Sequence, residues 1–420
     1  MGASSEGAIA KTAVARREQI PLVALYTANA ISMVGNVLMV LAVPWFVLQT
    51  TGSAEKTGVT GFFEALPIAL AAFLGGTVVD RVGYKRSSII ADLGGGVTVA
   101  LIPILYAMGA LEFSTLLALV FLGNLLDAPG STARDAIVPD LAARAGVSLE
   151  RASSLNQIVE RSSRLIGAPL AGVLIAAVGA TSVLWIDAAS FFVSAIIVTL
   201  FVTNVVHKRE EEAARGLHAQ FLDGLNFIRR EPVLRVIVLV VMVTNMLDNG
   251  VLFTIYVQQV FGNAVGLGIS VAAIGGGAVV GALIFSAIGQ RLPRGITFIG
   301  LFVLVGLRFF AYALYPPFPV LIAIQLLAGL ASGPLNPLIS TVSYERIPAD
   351  MRGRVFGALT GGAMVALPLG ALFSGIAVER VGLTATLVAT SAVYVVVTGA
   401  MWFTAARKDM DRRVTLPASP

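Results

Sequence analysis

The chain has 420 residues, of which 57% are hydrophobic and only 13% charged, and its mean hydropathy is +0.87. A soluble domain carries about a quarter charged residues, so a soluble globular fold is excluded. With no cysteine, disulfides, thiolate metal sites and thiol nucleophiles are excluded too, and the net charge of +5 has to be read by position, because basic residues in a membrane protein report topology first.

The apolar residues lie in runs of about 20 to 28, each long enough at 1.5 Å per residue to cross a hydrocarbon core of about 30 Å. In chain order they predict an all-α polytopic membrane protein with twelve spans, at residues 21–48, 57–79, 87–109, 113–138, 153–178, 182–206, 232–257, 266–289, 295–314, 318–344, 355–378 and 383–406. With both termini cytoplasmic, only Lys56 and Arg380 among the 29 basic residues fall in outer loops, and Arg308 falls inside a span. That is a strong positive-inside bias. Lys11, Arg16 and Arg17 precede the first run, but no apolar core precedes Ile20, so this run reads as a retained span and not as a cleaved leader.

Residues 1–206 form the first set of six spans and 232–406 the second, followed by a cytoplasmic tail at 407–420. The linker between them, 207–231, opens with the charge run "HKREEEAARG". Leu217, Phe221, Leu225 and Ile228 follow at intervals of four, four and three, the spacing of one apolar helical face, and predict a helix lying along the inner membrane surface.

Landmarks of the first half return in the second. Pro21 and Pro232, Arg81 and Arg291, and Pro139 and Pro348 stand 211, 210 and 209 residues apart. The same offset sets Asn36 of span 1 within one residue of Asp248 in span 7, and Asp127 of span 4 on Asn336 in span 10. Each half thus carries a small carboxyl or amide residue on its first and fourth span. A carboxylate costs about 2.5 to 3.5 kcal/mol at the centre of an inserting helix, which makes such positions functional candidates.

The segment "GTVVDRVGYKR", Gly76 to Arg86, resembles the signature of the major facilitator superfamily: Gly, three residues, Asp, Arg, one residue, Gly, then basic residues, with Tyr84 in place of the first basic one. The resemblance implies a twelve-helix fold of two six-helix pseudo-repeats rocking around a midplane site, with spans 1, 4, 7 and 10 lining the cavity. It also implies that Gly76, Asp80, Arg81, Gly83, Lys85 and Arg86 latch the cytoplasmic side, with Arg134 pairing to Asp80 as a gate. "VPWFVLQTTGSA", "DAPGSTARDAIVPD", "FPV" and "RLPRGITF" look like the drug-exporting branch that includes the Tap-type multidrug and macrolide efflux proteins. "RLIGAPLAG" is similar to the span 5 signature of antiporters, with Pro169 displaced by one; the other reading is small-residue helix packing, as at Gly277 with Gly281 and Gly357 with Gly361.

Relatives in that branch often carry Gly-Asp in span 1, where this chain has Gly35 and Asn36, and Asn36 does not titrate. Proton coupling then falls to another membrane acid, and the choices are Glu64, Asp127, Asp248, Glu160 and Asp187. Glu160 reads equally well as an inner-face ion pair with Arg161 or Arg164, Asp127 as a cap for the break at Pro129 and Gly130, and Asp187, close to the outer surface, as structural. Arg308 has four readings: a partner for Glu64, for Asp248 or for an anionic substrate, or a side chain snorkelling outward. Candidates for the substrate cavity are Asn36, Asp127, Asn245, Asp248, Asn336 and Arg308, with Phe63, Phe253 and Tyr256 from an aromatic set that also includes Phe62, Phe309 and Phe310.

The resemblance implies a secondary exporter of amphipathic drugs or related small molecules by proton antiport, with an uncoupled facilitator or lipid flippase as the alternative. An enzyme is not expected: both histidines, His207 and His218, lie in the linker, and "GAIAKT" lacks the second glycine of a phosphate loop. No cofactor, metal or nucleic acid is expected. The expected partners are a small-molecule substrate, protons and membrane lipids, in a monomer of a prokaryotic cytoplasmic membrane.

Overall fold

The computed structural model describes residues 3–204 and 217–412, with side chains from residue 18 onward except at 71–78, 80, 81 and 217–220. The charge run at 207–216 lies outside the described residues, as do the side chains of Gly76, Asp80, Arg81 and His218. Among the described residues there is no strand.

The helices are α1 (Ala3–Thr51), α2 (Ala54–Val82), α3 (Tyr84–Ala107), α4 (Phe113–Arg144), α5 (Leu149–Val178) and α6 (Ala180–Phe201); then α7 (Leu217–Arg230), α8 (Pro232–Leu247), α9 (Gly250–Phe261), α10 (Ala264–Ile288), α11 (Arg294–Ala313) and α12 (Phe318–Ser332); and finally α13 (Leu335–Arg346), α14 (Arg352–Val381), α15 (Leu383–Ala400) and α16 (Ala405–Asp411). Eleven helical stretches, with α8–α9 and α12–α13 each counted as one, are long and apolar enough to cross a membrane. The 29-residue α2 supplies the twelfth in chain order. Three joints, α2–α3, α5–α6 and α14–α15, are made by single glycines at φ between 84° and 88°: Gly83, Gly179 and Gly382. An L side chain is strained there, which explains why the signature loop carries Gly83.

Two spans are broken. The seventh stops at Leu247, passes through Asp248 in a non-helical conformation, and restarts after Asn249, whose side chain caps the amide of Leu252 at 3.1 Å. The tenth breaks at Gly333 and Pro334 between α12 and α13. Both residues keep helical dihedrals, and the interruption is one of hydrogen bonding, because Pro334 has no amide hydrogen to give.

The chain divides into two compact units, residues 1–43 with 70–210, and residues 44–69 with 211–420. The end of α1 and the first half of α2 therefore cluster with the C-terminal helices, where the sequence places them in the first set of six. Two contacts account for this. The Glu379 carboxylate accepts from the amides of Ala54 at 2.8 Å and Glu55 at 3.2 Å at the start of α2. Gly58 also lies so close to Gly375 and the carbonyl of Ala371 that a Cβ would come within 2.7 Å of both.

In the N-terminal unit a core of Leu22, Leu25, Ile137, Leu141, Ala152 and Val198 ties α1, α4, α5 and α6 together. In the C-terminal unit Gly277 and Gly281 of α10 meet the backbone of α12 at Leu326 and Leu330, the close approach expected of small residues in membrane helices. The amphipathic α7 forms where the spacing predicts it, but its apolar face is covered by protein. Ile228 is buried with Leu234, Ile347, Val355 and Ala358, and Asp223 lies 3.6 Å from Arg354. Part of the expected tail is helical as well. The Arg346 guanidinium holds the Asp409 carbonyl of α16 and, at 2.7 Å, the Glu231 carboxylate, and Met410 is fully buried.

Candidate functional site

Of the polar residues that the repeat sets in register, Asn36 and Asp127 are hydrogen-bonded to each other, Asp248 and Asn336 line one cavity, and in each half an arginine lies beside the carboxylate. In the N-terminal unit Asn36 on α1 donates from Nδ2 to Asp127 Oδ2 on α4 at 3.0 Å. Arg134, seven residues and about two turns further along α4, turns back beneath Asp127 with its Nη2 3.6 Å from Oδ1. Its main partner is Asp92 on α3, at 2.9 Å from Nη1, while Nε donates to Asn29 Oδ1 at 3.1 Å. Ser194 on α6 donates to the other Asp92 oxygen at 2.6 Å.

Arg134 and Asp92 are 2% and 0% exposed, whereas Asp127 is 19% exposed. The guanidinium and its first carboxylate are thus locked inside the bundle, and the second carboxylate reaches its edge. Two carboxylates share one guanidinium, leaving a surplus negative charge at Asp127. The Oδ1 of Asp127 is itself buried without a hydrogen bond. Among the described residues the Arg134 fork meets Asp92, Asn29 and Asp127; the expected pair with Asp80 lies outside the described side chains.

In the C-terminal unit Asp248 takes the guanidinium of Arg308 on α11, so of the four readings of that residue the pair with Asp248 is the one formed here. Arg308 is 6% and Asp248 36% exposed, so the arginine stands behind and the carboxylate faces outward into a cavity of about 450 Å³. Asn245, Asp248 and Asn336 line it, together with Thr244, Ser340 and Tyr394. Both helix breaks thus open onto one cavity: Asp248 sits in the first and Asn336 two residues past Pro334 in the second. Broken spanning helices expose backbone groups where a ligand can use them. Gly370 on α14 packs directly on the Met246 carbonyl beside the first break, and Ser374 donates to Asn249 Oδ1 at 3.2 Å.

The remaining sequence candidates lie elsewhere. Tyr256 stacks on Tyr312 at a centroid distance of 5.1 Å, and Phe253 lies tilted against Tyr312 at 5.7 Å; the aromatics that line the cavity are Phe302, Phe356 and Tyr394. Offset stacking and burial hold aromatic rings together more strongly than they hold a wall open. Phe63 packs edge-on against Phe62, centroids 5.5 Å apart, and Phe310 is exposed on the surface of α11. Glu160 pairs with Arg164 at 3.1 Å on an exposed face, so of its two readings the ion pair is the one formed. Glu64 on α2 is 7% exposed, and its Oε1 has no hydrogen bond. Gly167 of "RLIGAPLAG" lies against Val37, with room for a Cβ only at 2.9 Å, which is helix packing. Among the described residues no cluster of histidine and acidic side chains can hold a metal ion.

Sequence reasoning missed Asp92. It lies inside a predicted span, and a carboxylate there needs a partner; Arg134, a basic residue near the inner end of the following span, was the available signal.

Comparison with known proteins agrees with this architecture. A family model described as transmembrane secretion effector matches residues 12–417. The chain is 32% identical over 376 residues to the multidrug efflux pump Tap of Mycobacterium tuberculosis, covering 88% of this chain and 90% of that one. To the Tap pump of Mycolicibacterium fortuitum it is 29% identical, covering 88% and 92%. Among solved structures it is similar to the nucleoside transporter NupG, with a TM-score of 0.77 at 12% identity, covering 91% and 98%.

Proposed function

The chain belongs to the transmembrane secretion effector family of the major facilitator superfamily, as a multi-pass transporter of a bacterial inner membrane, and from that premise we propose that it exports amphipathic, positively charged small molecules in exchange for protons by alternating access. The observation that carries the reading is the surplus carboxylate at Asp127. It is partly exposed, hydrogen-bonded to Asn36, and left with a share of one guanidinium that Asp92 already holds. A cation arriving at Asp127 completes the charge balance, and so does a proton. The two therefore compete for one group, and competition at a single carboxylate is enough to couple export to proton entry.

The C-terminal cavity plays a different part in this reading. The Asp248–Arg308 pair is neutral as a whole, and Asn245, Asn336 and Thr244 present neutral donors and acceptors on apolar walls. Such a lining suits the uncharged polar and aromatic parts of a drug, which cavities of this kind recognise through a few well-placed polar groups. Glu64 is the second candidate for the proton, because its carboxyl is buried with one oxygen unpaired.

The test is equilibrium binding of a fluorescent cationic dye to the purified protein across a range of pH. Cation–proton competition predicts that affinity falls as the pH is lowered and that Asp127→Asn abolishes this dependence. If affinity in the native protein is flat with pH, the competition account fails. If the slope survives in Asp127→Asn and vanishes in Glu64→Gln, the coupling acid is Glu64.

A further inference from the structure

The N-terminal unit buries a third carboxylate that the account above does not use. Asp187 sits seven residues, about 10 Å, into α6 and is 0% exposed. Its Oδ1 accepts a long 3.5 Å hydrogen bond from Ser190, one turn on, and its Oδ2 has no partner. Gly35 on α1 packs directly on this group: a Cβ there would collide with both Ser190 Oγ and Asp187 Oδ1. The adjacent residue of α1 is Asn36, which holds Asp127. Consecutive positions of one helix thus meet two different carboxylates.

Among the described residues, the charged groups around α6 supply no counter-ion. From α1 come Gly35 and the amide side chains Asn29 and Asn36. From α3 comes Asp92, joined to α6 through the Ser194 hydroxyl, and at the far end Lys85, which donates to the Thr199 carbonyl at 3.0 Å. From α4 come Asp127 and Arg134, whose guanidinium is divided among Asp92, Asp127, Ser88 and Asn29. From α5, Glu160 and Arg164 are paired to each other on an exposed face. Among the described residues, two buried carboxylates, Asp92 and Asp187, and the partly exposed Asp127 thus stand against one guanidinium. An ionised carboxylate sealed from water without a counter-charge is far less favourable than a neutral one lacking a single hydrogen bond, so the group needs a proton where it has no cation.

We propose that Asp187 is a proton-binding site of the N-terminal unit, separate from Asp127. Its ligand is a proton on the oxygen that lacks a partner. Gly35 is what allows the carboxyl to lie against α1, within one residue of the Asn36–Asp127 pair. A part for Asp187 in the transport cycle rests on the antiport reading, whereas the presence of the proton does not.

The experiment is infrared spectroscopy of the purified full-length protein at neutral pH with isotope-labelled aspartate, so that glutamic acids such as Glu64 do not contribute. The carbonyl stretch of a protonated aspartic acid lies apart from the amide bands. Asp187→Asn is expected to remove one such band, and Ser190→Ala, which deletes only the hydrogen bond to Oδ1, to move that band to higher frequency. Unchanged acid bands in a folded Asp187→Asn protein overturn the proposal. Where Asp187→Asn does not fold, Ser190→Ala decides: an unmoved band overturns the proposal, and a shifted one supports it. No drug enters this measurement. A protein that moves no protons in response to drugs but loses the band in Asp187→Asn keeps this site and loses the antiport reading.

Discussion

At Arg134 two carboxylates meet one guanidinium, and the geometry ranks them. Asp92 is closer, more deeply buried and doubly held, by Arg134 and by Ser194. Removing one member of a buried ion pair strands the other, at a cost of about 3 to 5 kcal/mol. Because Asp127 remains 3.6 Å away as a second partner, Asp92→Ala is expected near the lower end, about 3 kcal/mol, read as thermal unfolding in detergent. A loss below about 0.5 kcal/mol, the range of surface substitutions, would show that Asp127 replaces Asp92 completely. The residue scale is also where the sequence was least legible. Asn36, Asp127, Asp248 and Asn336 stood out because the repeat sets them in register. Asp92 has no counterpart at the same offset, where Phe302 stands, and so nothing in the repeat pointed to it. Asp187 was visible as an acid in a span, but only the fold brings Gly35 against it.

Helices pack here through glycine, and the structure separates glycines that are contacts from glycines that are not. Gly277 lies against the Leu326 carbonyl and Gly329, whereas Gly357, in the interior of α14, has nothing within 4 Å of its would-be Cβ. Gly277→Val is expected to destabilise by about 1 to 3 kcal/mol, the cost of overpacking. Gly357→Ala is expected to be neutral or to stabilise by about 0.5 to 1 kcal/mol, because alanine loses less backbone freedom in a helix. Thermal unfolding of both proteins checks the contrast, and equal effects would contradict the packing assigned to α10 and α12. At the linker, Gly224 of α7 lies against the Arg354 carbonyl, so Gly224→Leu is expected to undock α7. Trypsin cleavage at Arg229 and Arg230 then speeds up; an unchanged rate would mean that α7 does not need this contact. The existence of α7 was plain from the spacing of Phe221 and Ile228, but what covers its apolar face was not, because periodicity gives a face and not its partner. The two helix breaks were written in "LDNG" and "SGPLN", turn-forming residues inside apolar runs, and hydropathy alone passes over them.

On the scale of the whole molecule the twelve spans were legible because hydrocarbon thickness sets their length and no other fold tolerates such runs. The edge of the first unit was less so: residues 44–69 cluster with the C-terminal helices through Glu379 and the Gly58–Gly375 contact, and neither residue marks a boundary in sequence. The two units repeat one chemical plan, a carboxylate, an amide and an arginine, with the surplus charge in the N-terminal one and the open cavity in the C-terminal one. The proton-coupled export proposed above draws on both features. The measurement that tests it most directly is drug-evoked proton release from inverted vesicles holding an imposed pH gradient, with a panel of cationic dyes, macrolides, tetracyclines and aminoglycosides, in the native protein, Asp127→Asn and Glu64→Gln. The account predicts collapse of the gradient by at least one compound in the native protein and none in Asp127→Asn, with Glu64→Gln retaining it. Inserted native protein that leaves the gradient intact with every compound, or Asp127→Asn that collapses it like the native protein, would contradict the account.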